Sequence, residues 1–379
     1  MQIIKLSIFS FFISVNVMGQ NAMQSFELSG YAKGAKDGSI MYLEPLIEKN
    51  KYYNLDSYSD TIYNERFKFK GKLKGPLGVK FTYRFENEGM TSAMVFIEGG
   101  KLSTKFLIDT LRNNVVAING SATHLKFQKT FVNVFSKYKI LNDLWAAQMN
   151  EKYDAYEGEK LDSALSEMRI QDRLIQNNYH NEISSYASKN TNSLIPIFLM
   201  VENFYGYSDS FIKSLKKYTS NLKFSQPYTY LYKKMMDSKS LSIGESFPKF
   251  KLIKVENNRA DSLSTYYTKK FILIDFWFAK CGACIRQFPA FRSITNSYKN
   301  TNLFNLVSIT IDDDEEIKNS ISIIEREQAS WIHLWDKGGK NALGLNISSY
   351  PTNFLLDSNG KVIAKDIEPL ELSRFLRKY

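Results

Sequence analysis

The chain has 379 residues, 44% of them apolar, and a formal net charge of +11. That length predicts about two or three domains, and the composition is that of a globular protein in which each can bury a core. Its lysines are scattered in short groups such as Lys213-Ser214-Leu215-Lys216-Lys217 and Lys233-Lys234. They read as solvated helix faces rather than a nucleic-acid tract, so nucleic acid is not expected as a partner.

Residues 1–19 have the layout of a secretory signal peptide. Met1 to Lys5 brings positive charge, Leu6 to Val17 is mostly apolar, and Val17-Met18-Gly19 offers a small-residue cleavage site. The apolar run is shorter than the roughly 20 residues a membrane span needs. No cysteine follows it, which excludes a lipoprotein anchor there. A mature chain from residue 20 onward is expected in the periplasm or cell envelope, where disulfide chemistry is possible.

Residues 20–122 read as an all-β sandwich. Phe26 to Gly30, Ser39 to Leu43, Phe67 to Gly71 and Ala93 to Ile97 are strand-like, and Val79 to Phe85 alternates with period two. The period becomes helical over 123–239, where Phe127, Phe131, Val134, Phe135, Tyr138 and Leu141 recur at three- and four-residue steps. Roughly three to five amphipathic helices are expected, their aromatic stripe serving as core. Residues 240–379 then alternate strand and helix, ending in a hairpin across Ser358-Asn359-Gly360 and a last helix from Glu368 to Tyr379.

The chemistry centres on Phe271 to Cys284. Phe271 to Phe278 is an apolar run that reads as a buried parallel strand, and it leads into Cys281-Gly282-Ala283-Cys284. These are the only cysteines in the chain. A zinc site needs more ligands than one pair, and His124, His180 and His333 are isolated. So short a loop is a poor structural staple. A redox pair remains the better reading. Cys281 would be the attacking thiolate, favoured by a helix N-terminus and by Lys280 and Arg286, and Cys284 the resolving thiol. Pro289 should kink the helix that follows. The acidic run Asp312 to Glu316 fits a helix start better than a calcium loop. No metal and no cofactor beyond the two thiols are expected.

The spaced motifs Ile274-Asp275-Phe276-Trp277, Cys281-Gly282-Ala283-Cys284, Pro289, Ser349 to Asp357 and Asn359 to Val362 resemble the TlpA-like family of exported thiol:disulfide oxidoreductases, across roughly the last third of the chain. The family usually carries Trp before the first Cys and Pro within the pair, where this chain has Lys280 and Ala283. The resemblance implies a thioredoxin fold, a cis Pro351 facing Cys281, and Asp275 as a buried acid behind the pair. It also implies Trp277, Lys280, Tyr350 and Thr352 as substrate-binding residues. It implies reduction of disulfides in exported proteins, electrons from a membrane thiol:disulfide reductase, and a part in cell redox homeostasis. Ser29-Gly30, Asp56-Ser57, Phe67 to Gly71 and Asn119-Gly120-Ser121 resemble the uncharacterised β domain that precedes such modules in many exported proteins of Bacteroidetes-type bacteria. A thiol peroxidase, or an interaction protein whose thioredoxin-like part is secondary, are the competing readings.

Overall fold

A computed structural model describes residues 22–379 apart from 50, 85–89, 109–110 and 112–115. The expected signal peptide lies outside the described residues. The chain divides into two compact units, one ending at Val132 and the other beginning at Asn133.

The first unit is a β-sandwich. Its strands are β1 (Gln24–Lys33), β2 (Ile40–Pro45), β3 (Tyr53–Leu55), β4 (Ser59–Thr61), β5 (Arg66–Leu73), β6 (Leu77–Arg84), β7 (Met90–Ile97), β8 (Gly100–Leu107) and β9 (Ile118–Asn119). One sheet runs β3-β5-β1-β8-β9 and the other β4-β2-β6-β7. The β1–β8 pair is parallel, a departure from the antiparallel pairing of the other strands. Strand β5 alternates strictly between exposed and buried positions, as a strand with one wet face must. Its inward Phe67 meets Phe81 edge-on at 5.8 Å, at the centre of the core. Phe67 lies over Gly30 of β1, where a Cβ would come within 2.0 Å of the ring. Glycine there is a packing requirement.

Helix α1 (Ala122–Thr130) starts at Ser121, whose hydroxyl accepts the His124 N–H. His124 is structural: Nδ1 accepts the Phe96 N–H at 3.1 Å and Nε2 bonds the Val116 carbonyl. Burial pushes its pKa down to about 4, so it stays neutral.

Helices continue through α2 (Ser136–Ala155), α3 (Gly158–Lys189), α4 (Ile195–Glu202), α5 (Asp209–Lys216), α6 (Ser220–Lys223) and α7 (Gln226–Asp237). This is more than the expected number, because short Ser-, Asn- and Pro-bearing turns divide the later part into brief helices. Nor are they all amphipathic. In α4 every residue from Ile195 to Val201 is buried, which makes it a core helix. The aromatic stripe is core, as its spacing predicts: Tyr138 stacks on Tyr179 at 4.6 Å and Phe135 meets Tyr179 edge-on.

The C-terminal region holds β10 (Lys251–Lys254), β11 (Ala260–Ser262), β12 (Phe271–Trp277), α8 (Gly282–Ile285), α9 (Phe288–Tyr298), β13 (Phe304–Thr310), α10 (Ile317–Arg326), β14 (Ile332–Trp335), α11 (Lys340–Gly344), β15 (Thr352–Asp357), β16 (Val362–Lys365) and α12 (Pro369–Leu376). The sheet order is β11-β10-β14-β13-β12-β15-β16, with β12, β13 and β14 parallel and β15–β16 an antiparallel hairpin. This is the thioredoxin-like arrangement, with a helical region before it and a β domain at the N-terminus. Every residue of β12 is buried, so both faces of the sheet are covered. Leu273 and Trp277 face one core together with both cysteines; Ile272, Ile274 and Phe276 face the other. Period-two geometry puts Asp275 on the cysteine side.

Candidate redox site

The site is built at the C-terminal end of β12, the place where parallel sheets present their ligands. After Trp277 the chain turns, and Cys281 N donates to Phe278 O at 2.9 Å. Cys281 is the N-cap of α8, its sulfur accepting the Cys284 N–H at 3.2 Å. The two sulfurs are bonded, with Cα atoms 5.3 Å apart. Cys281 is 6% exposed and Cys284 1%, so the first cysteine is the more accessible residue of the two. Pro289 lacks an N–H and its ring crowds the Ile285 carbonyl, so the helix breaks into α8 and α9 at Arg286-Gln287. A side chain at Gly282 would touch the Arg286 guanidinium, which places that cation over the first turn.

The loop before the pair is held by Asp312. Its Oδ2 accepts the Ala279 N–H at 2.9 Å together with the hydroxyls of Thr310 and Ser320. Of the acidic run, Asp313 shapes the turn that leads into α10, accepting the N–H groups of Glu315 and Glu316 at 3.0 Å, while the N-cap residue Glu316 makes no side-chain capping bond among the described residues, which corrects the expected acidic cap. Asp312→Ala leaves buried donors without an acceptor and should cost about 3 kcal/mol of stability. Chemical denaturation checks this; an unchanged midpoint would remove Asp312 from the account of the loop.

Asp275 is 1% exposed. Burial pushes its carboxyl up to about 7, against a smaller opposing effect of the Ser308 hydroxyl, which donates to Oδ2 at 3.2 Å. Oδ1 has no hydrogen-bond partner among the described residues. Ser308 faces Asp275 across β12–β13 and accepts the Trp331 indole N–H at 2.9 Å. His333 follows in register on β14, and burial lowers its pKa to about 4. The Ser308–Trp331 link leaves little trace in the sequence. Its only sequence signal is one serine inside the otherwise apolar Leu306 to Ile309.

The Tyr350–Pro351 bond is cis. Thr352 pairs with Phe276 of β12, and the Tyr350 ring meets Phe278 edge-on at 5.5 Å, which brings this loop beside the turn before Cys281. Thr352 is buried, with its hydroxyl donating to Ser349 O at 2.8 Å, so its side chain is structural. Trp277 is corrected as a substrate contact: its side chain has no exposed surface and packs edge-on against Phe288 at 5.0 Å. Lys280 is exposed, but its ammonium pairs with Glu316 at 2.6 Å, so its charge is shared with a carboxylate.

Residues 242–375 match the redoxin family and residues 26–127 match a domain of unknown function (DUF4369). Thiol-disulfide oxidoreductase ResA of Bacillus cereus is 25% identical over 132 residues, 35% of this chain and 73% of that protein. Thioredoxin-like protein YneN of Bacillus subtilis is 29% identical over 119 residues, 31% of this chain and 68% of that protein. The solved thioredoxin domain of a thiol-disulfide oxidoreductase from Bacteroides vulgatus is 24% identical, covering 37% of this chain and 98% of its own, with a TM-score of 0.33. A thioredoxin-like protein from Bacteroides caccae is 13% identical, covering 57% of this chain and 84% of its own, with a TM-score of 0.44.

Proposed function

We propose that the C-terminal third, which matches the redoxin family, works as a TlpA-like thiol:disulfide oxidoreductase module, and that this protein reduces disulfides of exported proteins through Cys281 and Cys284. The observation that carries the proposal is the bonded pair on a capped helix start, with Asp275 buried on the same side of the sheet. In the reduced protein the Cys281 thiolate attacks one sulfur of a substrate disulfide. A mixed disulfide forms and the other substrate sulfur leaves as a thiolate. Asp275 accepts the Cys284 proton, directly or through one water. The Cys284 thiolate attacks the Cys281 sulfur, the Cys281–Cys284 bond forms, and the second substrate thiolate departs. Two electrons have then passed to the substrate. A membrane thiol:disulfide reductase returns the pair to its dithiol form. The loop of Tyr350, Pro351 and Thr352 offers main-chain contacts to an extended substrate, with Lys280 at the rim. Insulin reduction coupled to dithiothreitol tests the reaction: the protein should accelerate it, and a protein lacking both thiols should leave it at background.

The same proposal places the mature chain in the periplasm or cell envelope. Intact-mass analysis of protein from that fraction should show a start near residue 20; a cytosolic protein that keeps Met1 would contradict it.

A further inference from the structure

One face of α3 reaches the redox module. Ser166, Arg169 and Arg173 are three and four residues apart, so they share a side of the helix. Arg169 donates through Nε to Glu368 Oε1 at 2.9 Å and through Nη2 to Oε2 at 2.8 Å, a two-pronged pair. Ser166 Oγ donates to Glu368 Oε2 at 3.3 Å, and Arg173 Nη2 to Glu371 Oε2 at 3.0 Å. Glu368 and Glu371 are the two carboxylates of the capping box that starts α12. The Glu368 side chain is only 9% exposed, so this ion pair is shielded from water.

The same Glu368 Oε2 accepts the Gln287 side-chain N–H at 3.4 Å. Gln287 is 4% exposed and stands at the joint between α8 and α9. Its backbone N–H donates to the Cys284 carbonyl at 3.0 Å. Arg169, Glu368, Gln287 and Cys284 therefore form one continuous chain of contacts from the helical region to the resolving cysteine.

We propose that Glu368 is a positioning residue for the redox pair, through which Arg169 of the helical region sets the dithiol–disulfide equilibrium of Cys281 and Cys284. The inference rests on the thiol–disulfide reading of the site. All of these contacts are made with the disulfide closed. Any shift of the Cys284 backbone as the sulfurs part would move Gln287, whose N–H is bonded to the Cys284 carbonyl, and would strain its link to Glu368. A held Gln287 thus favours the closed form. Loosening it moves the exchange, protein disulfide plus two glutathione to protein dithiol plus glutathione disulfide, toward the dithiol.

The test measures that equilibrium constant on the full chain. Arg169→Ala and Gln287→Ala should each raise it about three- to tenfold, the worth of roughly one hydrogen bond held preferentially in one state. The double variant should change it no more than the larger single change, because both act through Glu368. Arg169→Lys, which keeps an ion pair, should restore part of the effect. Should Arg169→Ala not fold, Arg169→Lys, which loses one prong of the pair, and Gln287→Ala, which leaves the pair intact, must each still raise the constant. Constants within about twofold of the parent in folded variants, or additive effects in the double variant, would overturn the proposal. The measurement needs neither a protein substrate nor turnover, so its failure is distinct from a failure of the proposed activity.

Discussion

At about pH 7, Asp275→Asn should slow release of the mixed disulfide by Cys284 about a hundredfold and flatten the pH dependence of that step. Burial holds the Asp275 carboxyl neutral up to about 7, against 3.8 in an unfolded chain. The anion is the form that accepts a proton. In the parent protein the resolving step should therefore rise with pH through about 7 and then level off. The same residue leaves a signature in stability. Between 3.8 and about 7 the folded protein holds a proton that the unfolded chain has released. Stability contributed by Asp275 is thus complete below about pH 4 and is lost as pH rises to about 7, a change of about 4 kcal/mol. Asp275→Asn removes the charge. It should be more stable than the parent at alkaline pH by an amount of that order, and similar to it in acid. Stopped-flow kinetics and denaturant unfolding across pH check both effects. Parallel stability profiles together with unchanged resolving rates would take Asp275 out of the mechanism.

The parts of this protein set by short-range pattern were legible in its sequence. The strand into Cys281 was visible because a short run rich in Ile and aromatic residues, bounded by lysines, suits a central strand, and the helix break followed from the missing N–H of Pro289. The cis bond at Pro351 and the depth of Asp275 were legible through family resemblance and an apolar neighbourhood. What escaped were properties of side chains meeting across elements. Trp277 sits beside the motif in sequence, yet period two turns it into the core. Lys280 precedes Cys281, but Glu316, from a different element, takes its charge. Asp312 looked like one of five helix-start acids; the turn from β13 instead aims it at the Ala279 N–H. Nothing local to Arg169 announces Glu368, because 199 residues separate them. Such pairs are chosen by tertiary packing, which leaves little trace in local sequence pattern.

The two cysteines should behave differently. Cys281 caps the helix and is the more exposed residue, whereas Cys284 is almost fully buried. Cys284→Ser retains the attacking sulfur but has nothing to release the product, so mixed disulfides should accumulate on it. Cys281→Ser has lost the attacking sulfur and should trap almost none. Both should leave insulin reduction at the uncatalysed rate. The most direct measurement is non-reducing electrophoresis of the two single variants after expression in cells, with trapped partners counted by mass spectrometry. Abundant mixed disulfides on Cys284→Ser, absent from Cys281→Ser, are the predicted result. Equal trapping by both variants, or insulin reduction surviving in either, would contradict a dithiol mechanism divided between these two sulfurs.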